Sequence, residues 1–128
     1  MLVTGDLDRD GHDDVATVNG LSNTAAIVRG DGHGGFGPPA MHAIDPFGLA
    51  SDLGDLDGDG DLDWLTSSYD GDWRLFENRG GVLEMSRELA PRTAASCALL
   101  FDADGDGDVD LALIDEEVDE VTLMRNGG

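Results

Sequence analysis

The chain is predicted to be all-β: a partial β-propeller of about three blades of four-stranded antiparallel sheet, the last blade incomplete. Three observations predict it. An acidic loop recurs as GDLDRDGHDD (5–14), GDLDGDGDLD (54–63) and FDADGDGDVD (101–110). Its first acids, Asp6, Asp55 and Asp102, stand 49 and 47 residues apart, a period that accommodates four short strands with their turns and falls where propeller blades lie. Between the loops, short apolar runs alternate with Gly, Asn and Asp turns in the same order each time.

Each element follows from that frame. One apolar run precedes each loop, at 2–4, 49–53 and 94–101, and another follows it, at 15–18, 64–66 and 111–114. Turn chemistry comes next in NGLSN (19–23), SYDGD (68–72) and DEEVDE (115–120). A further run spans 24–29, 73–77 and 121–125, and ends in the Gly-rich turns RGDGHGG, ENRGG and RNGG. The last run of a blade begins at Phe36 and at Val82, giving about eleven strands arranged as four, four and three. A short helix in EMSRELA (84–90), ended by Pro91, competes with strand there, and strand is preferred. The array is read as one repeat domain over 1–128, with blades at about 1–43, 48–88 and 94–128.

Composition bounds the function. A chain of 128 residues with 40% hydrophobic content can form one domain with a core. Its net charge of −21 argues against nucleic acid phosphates and anionic membrane surfaces as partners, and no apolar stretch reaches membrane-spanning length. The N-terminal MLVTGD lacks a signal-peptide pattern. The single cysteine, Cys97, has Ala95, Ala98 and Leu99 as neighbours and reads as a small core residue.

Five aspartates within nine positions, Asp55 to Asp63, would repel one another unless a cation sat among them. Carboxylates at loop positions 1, 3, 5 and 9, with glycine at position 6, suit calcium, which takes six to eight oxygens in flexible geometry. The side-chain candidates are Asp6, Asp8, Asp10 and Asp14; Asp55, Asp57, Asp59 and Asp63; and Asp102, Asp104, Asp106 and Asp110. His12, Asp61 and Asp108 stand at position 7, where the backbone carbonyl can ligate. Gly11, Gly60 and Gly107 supply the sharp turn. Position 12 holds Thr17, Thr66 and Leu113 where a helix-loop-helix calcium hand would carry Glu, and the flanking helices are missing. Zinc would call for His or Cys, and magnesium for a rigid octahedron. Twelve of the 28 acids lie at the ligand positions, leaving 16 against seven Arg. Up to three Ca2+ ions would bring −21 to −15. Recurrence of the loop at fixed spacing disfavours three solvated turns that bind nothing.

On these residues the chain resembles FG-GAP or VCBS-type repeats, the blades of integrin-alpha-like β-propellers. GDLDRDGHDDVATV followed by NTAAIVRGDGHGGFGPP carries that pattern almost whole, with Phe36 and Gly37 at the FG position. The second repeat has Val82 and Leu83 in place of the aromatic. The resemblance implies a calcium-stabilised propeller, secreted or displayed at a cell surface, with the ligand roles falling on the aspartates named above. Arg9 replaces the glycine found at 58 and 105, and is expected to need a negative φ. Three blades do not ordinarily close a ring, so either missing blades come from a longer chain, the favoured expectation, or copies self-associate through open propeller edges.

The leading functional reading is a non-catalytic calcium-binding repeat module, part of a larger protein, whose surface binds a protein or carbohydrate ligand. The rival is the propeller portion of a carbohydrate-active enzyme such as a polysaccharide lyase. No nucleophile with an oriented base is legible, and His12, His33 and His42 read as surface residues. A calcium buffer would not need the regular apolar runs. GDGHGG at 30–35 reads as a hairpin turn rather than a phosphate loop. Trp64, Trp73 and Tyr69 could stack on sugar rings, but the two tryptophans are better placed filling space between blades.

Overall fold

The computed structural model describes residues 1–91 and 93–127. Among these residues there are eleven strands and no helix, arranged as three antiparallel sheets of four, four and three strands. The first sheet contains β1 (Leu2–Gly5), β2 (Asp14–Asn19), β3 (Thr24–Val28) and β4 (Ala40–Ala43) in sequence order. The second contains β5 (Gly48–Gly54), β6 (Asp63–Ser68), β7 (Trp73–Asn78) and β8 (Leu83–Leu89), and the third β9 (Cys97–Phe101), β10 (Asp110–Asp115) and β11 (Glu120–Met124). Each acidic loop joins the first strand of its sheet to the second. The three loops therefore sit at equivalent corners of three like sheets.

The β4 strand starts later than Phe36, which forms only an isolated bridge with Gly30 and is 59% exposed. Pro38 and Pro39 lack the N–H that a ladder needs, so pairing resumes at Ala40. Residues 84–89 are strand, as preferred over helix. The exposed run Glu84–Glu88 gives β8 a charged edge, which discourages pairing with another chain.

Successive sheets pack face to face through alternating side chains. Ala16, Val18, Ala25 and Ile27 of the first sheet bury against Trp64, Phe76 and Leu83 of the second. The opposite face of the second sheet carries Leu65, Trp73 and Leu75 onto Ala98, Leu111 and Leu113 of the third, with Ala95 alongside. Both tryptophans thus lie between blades, and each indole N–H has a partner: Trp64 Nε1 donates to Ser51 Oγ (2.7 Å) and Trp73 Nε1 to the Cys97 carbonyl (2.9 Å). Burying the rings costs no stranded donor. Cys97 itself is half-buried on the outer face of β9, because the register puts Ala98 on the inner face.

Glycine permits the close approach of neighbouring blades. A Cβ at Gly5 would stand 2.7 Å from Leu62 of the next blade, and one at Gly54 would stand 3.2 Å from Leu100 and Val109. His42, expected at the surface, is half-buried on β4, with edge-on contacts to Trp64 (5.8 Å between centroids) and Phe76 (5.6 Å).

Burial lowers the pKa of His42, since the imidazolium loses hydration against those rings. On acidification the unfolded chain takes up this proton first, near its ordinary pKa of about 6.5. Stability from the neutral ring is therefore present above that value and is lost as pH falls through it toward the lower folded pKa. His42→Phe is expected to flatten the fall in unfolding free energy between about pH 7.5 and pH 5. Identical pH slopes for the two proteins in denaturant melts would contradict this.

Candidate metal centres

The loops wind tightly because positions 4 and 6 both adopt left-handed backbone. Position 6 has φ of 87° at Gly11, 88° at Gly60 and 98° at Gly107. At position 4, Gly58 and Gly105 have φ of 75° and 83°, and Arg9 adopts the same region at 59°. The expectation of a negative φ at Arg9 is corrected: the loop imposes its shape on a residue for which that shape costs about 1–2 kcal/mol. Arg9 gains contacts in return. Its Nη2 donates to the Asp59 carbonyl (2.8 Å) and its Nε lies 2.6 Å from Asp61 Oδ1, both in the next blade's loop.

The first aspartate of each loop organises the turn by accepting backbone N–H groups. Asp6 accepts from Asp10 and Gly11, Asp55 from Gly58 and Gly60, and Asp102 from Gly105 and Gly107, at 2.6–3.1 Å. Position 5 accepts from position 7 in all three loops: Asp10 from His12, Asp59 from Asp61 and Asp106 from Asp108. These bonds leave each carboxylate oxygen with lone-pair capacity for a cation.

The ninth position behaves differently, and sequence reasoning missed its role. Asp14, Asp63 and Asp110 are buried, and each uses both oxygens to clamp two distant backbone amides. One belongs to the second residue of the loop: Leu7 (3.0 Å), Leu56 (2.8 Å) or Ala103 (2.8 Å). The other lies at or just beyond the end of the blade's third strand: Gly30 (2.9 Å), Asn78 (2.9 Å) or Asn126 (2.7 Å). The ninth carboxylate therefore ties the start of its own loop to the end of the neighbouring third strand of its own sheet.

A second recurring feature links one blade to the previous one. Asn78 is buried, and its Nδ2 donates to the carbonyl of Leu7 in the first loop (2.7 Å) and of Leu62 in the second (3.1 Å). Asn126 repeats the contact one blade on, donating to the Leu56 carbonyl (2.7 Å). The matching Asn in ENRGG and RNGG was the available signal, although it read only as turn chemistry. Arg29 adds a third tie, donating to Asp14 Oδ2 and to the Gly81 carbonyl of the second blade, both at 2.6 Å.

Three clusters bring carboxylate oxygens within 4.8 Å of one another: Asp6, Asp8 and Asp10; Asp55, Asp57 and Asp63; and Asp102, Asp104 and Asp110. Asp14 lies outside the first cluster, paired with Arg29. Asp59 and Asp106 lie outside theirs. At position 7, His12 turns its ring over Gly32, and Asp61 Oδ2 accepts the Gly80 amide (2.8 Å). The Asp108 amide donates to Asp106 Oδ1 (3.0 Å).

Environment separates equivalent aspartates. Burial raises the pKa of Asp63 against the opposing Asn78 and Leu56 amides, with Asp57 and Asp59 adding to the rise. The Asn126 and Ala103 amides hold Asp110 below the usual carboxylate range, assisted by Arg125. The donor set of each cluster is oxygen alone, which fits a hard divalent cation and not a thiophilic one.

The FG-GAP-like repeat pattern matches residues 6–66 and again 55–113, each match starting on the first aspartate of a loop. The chain belongs to the FG-GAP-like repeat family. No curated protein matches the chain at a significant level. In this FG-GAP repeat chain the matched unit runs from one loop through the next loop into the strand that follows it, and so covers one blade and the start of its neighbour.

The clamp and the cation cluster make separable predictions. Asp63→Ala strands two amides, and should lower unfolding free energy by about 2–4 kcal/mol even in chelator. Asn78→Ala removes both inter-loop bonds and should cost about 1–3 kcal/mol. Denaturant melts in the presence of chelator test both; an Asp63→Ala penalty that appears only with calcium would assign the residue to the ion instead of the backbone.

Proposed function

We propose that this FG-GAP repeat module binds Ca2+ at its three loops, up to three ions per chain, and serves without catalysis as a rigid surface for a protein or carbohydrate ligand. The observation that carries the reading is the threefold recurrence of an all-oxygen cluster at equivalent corners of equivalent sheets. Asp6, Asp8 and Asp10 would hold the first ion, Asp55, Asp57 and Asp63 the second, and Asp102, Asp104 and Asp110 the third. Asp59 and Asp106, on the same loops, are the further side-chain candidates, while Asp14 would have to leave its Arg29 pairing to reach the first ion; the carbonyls of His12, Asp61 and Asp108 are the backbone candidates. A bound cation would offset the repulsion among carboxylates that the wound loop forces together.

The non-catalytic reading is favoured by where the side chains with catalytic potential lie. His42 is turned into the inter-blade aromatic cluster, and His12 covers a glycine turn. Both tryptophans are buried, so neither forms a free sugar-stacking platform, and Tyr69 donates its hydroxyl to Glu117 across the second and third blades (2.7 Å). A secreted or cell-surface location accords with this chemistry. Each ion that binds only the folded state adds about 2.7 kcal/mol when free calcium is a hundredfold above its dissociation constant.

Calorimetric titration of chelator-stripped protein should give close to three ions per chain and a rise in melting temperature. Asp55→Ala with Asp59→Ala should remove one ion. Asp57→Ala, whose carboxylate faces the cluster and holds only an exposed turn amide, should lower stability in calcium and leave it nearly unchanged in chelator. No heat and no shift in melting temperature would overturn the reading.

A further inference from the structure

The three loops share a backbone shape but not the charge set against it. In the second loop the ninth aspartate joins its cluster, Asp63 with Asp55 and Asp57, and in the third Asp110 joins Asp102 and Asp104. In the first loop the cluster is Asp6, Asp8 and Asp10, and Asp14 stands outside it. Asp14 accepts the same two backbone amides as its counterparts, so the clamp does not set it apart. Arg29 does: its Nη1 lies 2.6 Å from Asp14 Oδ2, and neither Asp63 nor Asp110 has an ion pair among the described residues.

The guanidinium is fixed from several sides. Its Nη2 donates to the Gly81 carbonyl of the second blade (2.6 Å), and its Nε lies 3.7 Å from Asp8 Oδ2, a member of the first cluster. Asp14 is fully buried and the Arg29 side chain is 29% exposed, so solvent and salt screen the pair only in part. One positive charge thus faces the third and ninth carboxylates of the first loop together.

Register shows what stands in the same place in the next blade. Val28 pairs with Val15 as Phe76 pairs with Trp64, so the residue that follows is Arg29 in the first blade and Glu77 in the second. A carboxylate replaces the guanidinium. Glu77 pairs with Arg79 (2.9 Å), and Asp55, Asp57 and Asp63 have no ion pair among the described residues. Arg9 does approach the second loop, but at Asp61 and the Asp59 carbonyl, outside the cluster. The first cluster therefore has an arginine on two of its loop's aspartates, and the second cluster has none.

We propose, resting on the calcium reading of the loops, that Arg29 is a built-in counterion of the first loop, so that this loop takes up Ca2+ only at a higher concentration than the second. A divalent cation entering the first cluster meets a fixed positive charge beside Asp8. It must also draw Asp14 away from Arg29 or do without the ninth carboxylate, and separating a buried pair is costly. At the second loop neither obstacle exists. Occupancy is accordingly graded along the array: the second loop responds to low calcium, while Arg29 ties the first loop to the second blade with or without the ion.

Amide NMR of the full chain, titrated with calcium chloride after chelator stripping, reads the two loops separately through Gly11 and Gly60. The Gly60 amide should reach its midpoint at a calcium concentration roughly tenfold or more below that of Gly11. Arg29→Gln keeps a donor for the Gly81 carbonyl and removes the charge; it should lower the Gly11 midpoint by roughly fivefold or more and leave Gly60 nearly unmoved. Glu77→Arg, at a partly exposed position, should raise the Gly60 midpoint by a similar factor and spare Gly11. An arginine with a merely structural role would act in the opposite sense, since its loss would loosen the loop and weaken the ion. If Arg29→Gln does not fold, the parent midpoints and Glu77→Arg decide. Coincident midpoints in the parent, unchanged or weaker first-loop binding in Arg29→Gln, or a Gly60 midpoint unmoved by Glu77→Arg would overturn the proposal and leave the calcium reading standing. No response of either glycine at millimolar calcium would overturn both.

Discussion

A buried carboxylate at the ninth position of each loop is the constraint on which the rest of the structure depends. Asp14, Asp63 and Asp110 stand at the first residue of the second strand of their sheets, with both oxygens committed to backbone amides from two other segments. A buried charge is tolerated when its hydrogen-bonding capacity is met, and amides stranded without it would each cost about 1–3 kcal/mol. The loop start and third-strand end are therefore fixed relative to the second strand before any cation is considered. This fixes the corner at which the other aspartates gather.

From that corner, order passes between blades. Asn78 joins the first loop to the second, Asn126 joins the second to the third blade, and Arg9 and Arg29 carry positive charge from the first blade onto carbonyls of the second. The apolar packing beneath these ties is continuous, with Trp64 and Phe76 filling one junction and Leu65, Trp73 and Leu75 the other. Strain at Arg9, charge at the loops and burial between sheets are accordingly coupled. A cation at any loop would act on a framework that already holds its neighbours in place.

Much of the fold was legible because the repeat is strict where chemistry is strict. The Asp/Gly loops and alternating apolar runs predicted eleven strands in three sheets, and strand over helix at 84–89. Legibility failed where a residue's role depends on a partner far away in sequence. Asp63 and its amide partner at Asn78 are 15 residues apart, and the Asn78 contact to Leu7 spans 71. No spacing rule within one loop could reveal either. Phe36 was misread as a strand start because its aromatic character outweighed two prolines, and His42 was placed at the surface because its burial comes from the following blade. Arg9 was expected to avoid positive φ, yet its identity mattered less than the winding that Gly58 and Gly105 mark in the other loops.

Amide hydrogen exchange in chelator-treated protein, resolved residue by residue, tests the buried-carboxylate account most directly. The account predicts that the amides of Leu7, Leu56, Ala103, Gly30, Asn78 and Asn126 exchange slowly, near the rate set by global unfolding, while the position 4 and 6 glycine amides of the same loops exchange quickly. Fast exchange at those six amides, rescued only by calcium, would contradict it and make the ion, not the buried aspartate, the organiser of the loop.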